Sequence, residues 1–222
     1  MNRLPLVKYC GFKNSEAIAV LRGLGVDMVG FILAPSRRRV QIDQLAILTK
    51  AVPTGIAKVG VFVNPTMDEI RNVLQQAELD IIQLHGEESP TFCSEVCHSF
   101  GVRIIKAFHV GKEDGIDLRT TLDSYKEVID YLLLDTYDPS EAGGTGRAFR
   151  WEVLGTYYEW CNEHNIKLIV AGGLHKDNIV SLLDNWPLHG IDISSGIETD
   201  GQKDRTKMIE FMERVKGNDR ST

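Results

Sequence analysis

The chain has 222 residues, 43% hydrophobic and 25% charged, with a formal net charge of -6 at pH 7. Those proportions belong to an ordinary globular protein and set aside disordered, collagen-like and coiled-coil classes. An acidic balance without any long Lys/Arg run excludes a surface built for nucleic acid or anionic membrane, because counterion release needs a concentrated basic face.

Residues Met1 to Lys8 lack the apolar run of a signal peptide, and no stretch approaches a membrane span, so a cytoplasmic protein is expected. The first apolar run, Leu6–Cys10, reads as a strand, and the helical pattern after it stops at Gly23 and Gly25. Met28–Leu33 and Lys58–Val63 read as the next strands, with a helix over Asp43–Ala51 between them. Thr66 with Glu69 makes a capping box ahead of the third helix. A strand over Ile81–Leu84 is followed by Ser89-Pro90, a cap before a first-turn proline, and by Gly101 as the stop. Cys93 and Cys97, four apart in that helix with no nearby histidine partner, form a poor zinc signature; they and Cys161 are expected to pack, not to ligate or pair.

Further along come strands at Arg103–Phe108, Tyr131–Leu134, Lys167–Ala171 and Ile191–Ser194. Helices are predicted over Leu118–Glu127, Trp151–Glu163, Asp177–Asn185 and Arg205–Lys216. Eight strand–helix units of about 28 residues each leave no room for a second domain, so residues 1–222 read as a single (β/α)8 TIM barrel of the α/β class. An open doubly wound sheet is the alternative, since counting units does not prove closure.

A barrel concentrates its chemistry just after each strand. Cys10 ends the first strand, Arg39 lies in the loop after the second, Asn64 follows the third and His85 the fourth. Asp135 ends the sixth, Gly172 and Gly173 follow the seventh, and Ser194, Ser195 and Gly196 follow the eighth. Alternation puts Lys8 on the same face as Cys10, one pleat deeper.

The ordered segments Lys8-Tyr9-Cys10-Gly11, Gly60-Val61-Phe62-Val63-Asn64, Gln83-Leu84-His85-Gly86, Leu133-Leu134-Asp135-Thr136, Gly143-Gly144-Thr145-Gly146, Ala171-Gly172-Gly173 and Asp192-Ile193-Ser194-Ser195-Gly196 resemble the phosphoribosylanthranilate isomerase family from about Val7 to Asp204. The resemblance implies an Amadori rearrangement of a phosphosugar, N-(5-phosphoribosyl)anthranilate, in tryptophan biosynthesis, with neither metal nor other cofactor. It implies Asp135 as general acid and Cys10 as general base. It aligns Arg39 with the arginine for the anthranilate carboxylate, with Arg37 and Arg38 as neighbouring candidates. His85 and Asp192 are implied substrate contacts, and the Gly172-Gly173 and Ser194-Ser195-Gly196 turns a phosphate site. Lys8 is expected to point into the barrel and support the Cys10 thiolate, with Asp192 as its partner. Gly143, Gly144, Thr145 and Gly146 are expected in a lid over the substrate.

Three departures from the family pattern are visible: Arg150 where an acidic residue is usual, His175-Lys176 after Leu174, and Tyr9, whose parity places it toward the helices. The histidine-pathway isomerase uses aspartates at the ends of strands one and five, where this chain has Cys10 and Phe108. Indole-glycerol phosphate synthase needs a Lys/Glu set that is not placed here. A silent phosphosugar-binding barrel would need neither Cys10 nor Asp135. A monomer or weak homodimer is expected, with a small-molecule partner, no nucleic acid and no membrane.

Overall fold

The computed structural model describes residues 4–109, 118–135 and 154–217. Eight strands run in parallel around a closed ring, each paired with its neighbours in sequence, and β8 returns to β1. They are β1 Leu6–Cys10, β2 Met28–Ile32, β3 Ala57–Phe62, β4 Ile81–Leu84, β5 Arg103–His109, β6 Tyr131–Asp135, β7 Lys167–Ala171 and β8 Gly190–Ile193. The closure decides for the barrel over the open sheet.

Parallel neighbours need a crossover between them, and helices supply it: α1 Ser15–Ala19, α2 Ile42–Ala51, α3 Met67–Leu74, α4 Pro90–Phe100, α5 Leu118–Asp123, α6 Leu154–Glu163, α7 Ile179–Asn185 and α8 Arg205–Gly217. The short ribbon β9 Glu198–Thr199 and β10 Gln202–Lys203 leads into α8. Local chemistry sets the helix starts. Thr66 and Glu69 form the reciprocal capping box, and the Ser89 hydroxyl accepts from the Phe92 N–H ahead of Pro90.

Two differences from the sequence reading have local causes. The helix predicted over Leu118–Glu127 ends at Asp123, where the Ser124 hydroxyl and N–H both turn back on the Thr121 carbonyl and compete with helix continuation. α7 begins at Ile179, not Asp177, because the Asn178 side chain accepts from the His175 N–H and holds a turn there. Of the helix predicted over Trp151–Glu163, Leu154–Glu163 lies within the described residues.

Alternation along every strand builds two apolar layers. Met28, Val59, Ile81, Ile105, Leu133 and Ile169 fill the ring, while residues of opposite parity such as Tyr9, Phe31 and Ile82 pack outward beneath the helices. Tyr9 donates its hydroxyl to the Met208 carbonyl of α8, as its parity predicts. Cys93 and Cys161 are buried, Cys97 is half-buried, and all four cysteines are reduced.

At the N-terminal end of the ring, Asp27, Asp80 and Asp130 each accept a hydrogen bond from the backbone N–H of the preceding strand, at Val7, Lys58 and Ile104 (2.7–2.8 Å). These bonds satisfy strand-entry donors that the ring leaves unpaired. The opposite rim is left to the cleft.

Candidate active site

Inward parity runs polar as the strands reach their C-terminal ends. A cleft of about 570 Å³ opens there, lined among others by Cys10 of β1, Gln83 of β4, Asp135 of β6 and Asp192 of β8. His85, Gly172, Gly173, Ser194 and Ser195 also line it, so these predicted site residues share one cavity. Gly143, Gly144, Thr145 and Gly146, and the whole predicted lid, lie outside the described residues.

Lys8 and Asp192 are register partners across the β1–β8 seam, and their side chains form a buried ion pair with Nζ to Oδ2 at 2.7 Å. The pair lies directly beneath Cys10, as the parity argument predicted. Burial pushes the Cys10 thiol above its ordinary pKa; the Lys8 ammonium pulls it back and the Asp192 carboxylate adds to the rise. Lys8 itself feels the opposite balance, in which burial disfavours its charge but Asp192 and Cys10 hold its pKa above normal. Space for the sulfur comes from β2. A Cβ at Gly30, the register partner of Cys10, would stand 2.6 Å from Sγ, so only glycine fits.

Across the cleft, the Gln83 amide Nε2 lies 2.8 Å from His85 Nδ1, and His85 Nε2 lies 3.2 Å from Asp135 Oδ2. With the amide placed so, it donates to Nδ1; the ring proton then sits on Nε2 and is offered to the carboxylate. Gln83 Oε1 and Asp192 Oδ1 are buried atoms without a hydrogen-bond partner. Gln83 lies in the Gln83-Leu84-His85-Gly86 segment, and strand parity alone aims it into the ring without assigning it a role.

The structure puts Arg38, not Arg39, on the cleft. Ser36 holds a tight turn, accepting from Arg38 N–H through its hydroxyl and from Arg39 N–H through its carbonyl, and this throws successive side chains to different sides. Arg39 faces a neighbouring groove with Leu33, Asn64 and Glu69. Arg38 reaches Glu198 through both Nε and Nη2 at 2.7 Å, and Arg37 lines the cleft with its side chain 69% exposed. Glu198 also takes Lys203 at 2.7 Å. Burial would raise the Glu198 pKa, but the hydrogen bonds from Arg38 and Lys203 outweigh it and hold the carboxyl at about 2. Neither Glu198 nor Lys203 was singled out in the sequence, because their role depends on the β9–β10 ribbon folding back under the rim.

The turns after β7 and β8 meet face to face. Gly172 and Gly173 both take positive φ, and the 3-10 turn Ser195–Ile197 abuts Leu174 just beyond them. At Gly196 a Cβ would lie 2.0 Å from the Leu174 carbonyl oxygen, so glycine there lets the two turns close. Ser194 is anchored by its hydroxyl to the Cys10 carbonyl at 3.0 Å, and Lys203 donates to the Ser194 carbonyl at 2.9 Å.

Ligand-type atoms of His85, His109 and Asp135 lie within 4.8 Å of one another. Two of the three are hydrogen-bonded together and the other nitrogen of His85 faces the Gln83 amide, so both His85 nitrogens are engaged, and we assign no metal to the cluster. Among the described residues no helix is long and apolar enough to cross a membrane.

Residues 7–214 match the family described as N-(5'-phosphoribosyl)anthranilate (PRA) isomerase. A Brevibacillus brevis N-(5'-phosphoribosyl)anthranilate isomerase is 43% identical over 213 residues, covering 96% of this chain and 94% of that one. The phosphoribosyl anthranilate isomerase structure from Thermotoga maritima superposes with a TM-score of 0.82 at 32% identity, over 96% of this chain and 99% of that one. A further structure, at 30% identity and TM-score 0.79 over 96% and 99% of the two chains, is of such an isomerase in complex with reduced 1-(o-carboxyphenylamino)-1-deoxyribulose 5-phosphate.

Proposed function

The chain belongs to the N-(5'-phosphoribosyl)anthranilate isomerase family and is an aldose–ketose isomerase of tryptophan biosynthesis; from that premise we propose that it works by acid–base exchange between Cys10 and Asp135. The observation that carries this reading is the placement of the two side chains on β1 and β6 of one cleft.

Asp135 gives its proton to the furanose ring oxygen, which becomes a hydroxyl as the C1–O bond breaks and the amine lone pair forms the C1=N iminium. The Cys10 thiolate then takes the C2 proton, and the C2–H electron pair becomes the C1=C2 bond of an enolamine. Ketonisation returns one proton to C1 and releases one from the C2 hydroxyl, so the enzyme regains its starting protonation. Lys8 makes the thiolate attainable in a buried setting, where burial alone would hold the sulfur neutral.

The phosphate is received by backbone N–H groups of the Gly172-Gly173 and Ser194-Ser195 turns, which the close packing at Gly196 brings side by side. Arg38, steadied by Glu198 along Nε and Nη2, serves the anthranilate carboxylate together with the more exposed Arg37. The unpartnered Asp192 Oδ1 is placed to accept a sugar hydroxyl. The reading includes residues 1–222 acting as one barrel, in the cytoplasm, as a monomer or weak homodimer and without a cofactor.

The test follows loss of phosphoribosylanthranilate fluorescence. Cys10→Ser and Asp135→Asn are each expected to lower kcat by about 10²–10⁴-fold, the usual range for a lost proton-transfer group. Retention of kcat within a few-fold in either variant removes that residue from its role.

A further inference from the structure

We infer that Gln83 is a positioning residue whose reversible amide sets the tautomer of His85 and, through it, whether Asp135 is held with or without its proton. The inference deepens the acid role proposed for Asp135 and rests on it.

An acid that donates and is reloaded every turnover needs a neighbour that accommodates both of its forms. A carboxylate wants a donor beside it; a carboxylic acid wants an acceptor. His85 Nε2, 3.2 Å from Asp135 Oδ2, is such a neighbour, and it is a donor or an acceptor according to which ring nitrogen carries the proton. The group facing the other nitrogen decides, and that group is the Gln83 amide at 2.8 Å.

With Nε2 of the amide on Nδ1, the ring proton is driven to His85 Nε2 and the ionised acid is supported. This arrangement leaves Gln83 Oε1 buried without a partner, a loss of about 1–3 kcal/mol. Turning the amide over about its terminal torsion, a broad two-fold rotor, brings Oε1 onto Nδ1 instead. The ring then carries its proton on Nδ1 and presents a lone pair at Nε2, which accepts from the protonated acid. Gln83 is almost wholly buried within the ring, so this rotation is the motion left to it. The His109 ring, with its centroid 5.3 Å from that of His85 and tilted by 52°, packs against the imidazole.

The protons balance. After Asp135 protonates the substrate oxygen, the ring takes one proton from solvent at Nε2 and loses one from Nδ1 while the amide turns; reloading reverses each step. Only a side chain with a donor and an acceptor on one rotor does this. Glutamate at position 83 would accept only, fix a proton on Nδ1 and favour an imidazolium that keeps Asp135 ionised. Leucine would leave the tautomer to solvent.

Nitrogen-15 spectra of ring-labelled histidine, with kcat and KM from the same preparations, test the inference on wild type, Gln83→Glu and Gln83→Leu. Wild type without ligand should show His85 protonated on Nε2 and not on Nδ1, and binding of the reduced product analogue should move that equilibrium. Gln83→Glu should show both nitrogens protonated, and Gln83→Leu an averaged pair. Both variants should lose about tenfold in kcat with KM within about twofold, the pattern of a group acting in proton transfer. The same His85 resonance pair in all three proteins, or variants that raise KM with kcat intact, overturns the inference. If Asp135→Asn keeps its activity, the acid role is what fails; the tautomer shifts in the Gln83 variants would still be seen.

Discussion

A thiol buried above its normal pKa is a poor base unless a cation is beside it, and Lys8 is the cation that shares its strand face. The direction of each influence fixes a prediction. Burial and the Asp192 carboxylate raise the Cys10 pKa while Lys8, and to a lesser degree Lys203, lower it, so Lys8→Met removes the larger opposing effect and leaves Asp192 to add to the rise. The pH at which the thiolate forms, read from its ultraviolet absorbance or its alkylation rate, should move upward. The ascending limb of kcat against pH should move upward with it, because a raised thiol pKa means less thiolate at any given pH below it. Removing Lys8 also strands a buried carboxylate, which typically destabilises by about 3–5 kcal/mol, measurable by urea denaturation. Lys8→Met with Asp192→Asn should recover much of that stability without recovering the thiolate. An unchanged Cys10 titration in Lys8→Met would show that the ammonium does not act on the sulfur.

At the scale of elements, β4, β5 and the loop that carries His85 are tied by one ionic knot on the outward side of the ring. Lys106 of β5 is buried and donates to Glu88 Oε2 at 3.0 Å and to the Gly86 carbonyl at 2.7 Å, while Glu88 accepts from the Asn64 and Gly86 N–H groups. The Tyr125 hydroxyl closes the knot on the Glu88 carbonyl. Lys106→Met or Glu88→Leu alone leaves a buried charge uncompensated and should destabilise by about 3–5 kcal/mol, whereas the double replacement should cost clearly less than the sum. Because the knot fixes the loop that carries His85, the single variants should also lose kcat; additive losses in the double variant would show that the two residues do not act as a pair.

The strands were legible at this scale because each is buried on both faces and reads as an apolar run: Leu6–Cys10, Ile81–Leu84 and Lys167–Ala171 are found with the predicted bounds, and the others shift by a residue where pairing runs on or stops early. Cys10, Asp135 and the two turns were legible because a barrel puts chemistry at strand ends. Arg38 was not, since the Ser36 turn decides which of three consecutive arginines faces inward and that turn is set by two hydrogen bonds. Gln83 could be aimed by parity but not given a role, because its meaning lies in a contact with a ring two residues on and a carboxylate fifty residues away.

Taken whole, the molecule separates its two ends. The N-terminal face is closed by aspartates bonded to strand N–H groups, and the C-terminal face holds the cleft with Arg37 and Arg38 on its wall, above the buried Lys8. The chain as a whole carries a charge of -6, so an anionic phosphosugar is repelled at long range and attracted at the mouth. Salt acts on both, but unequally. With a Debye length of about 8 Å at physiological ionic strength, the diffuse repulsion is largely removed, while contacts within a few ångströms of the bound anion are weakened only in part. Contact attraction therefore dominates above about 0.1 M salt, and KM should rise several-fold between about 0.1 M and 0.5 M with kcat nearly constant, because charge steering acts on binding. Arg37→Gln, which removes the exposed cation and keeps the half-buried Arg38–Glu198 pair, should raise KM at low salt and flatten its salt dependence. A KM that stays level or falls with added salt in the wild-type enzyme would mean that the net negative surface, and not the basic wall of the cleft, governs how the substrate arrives.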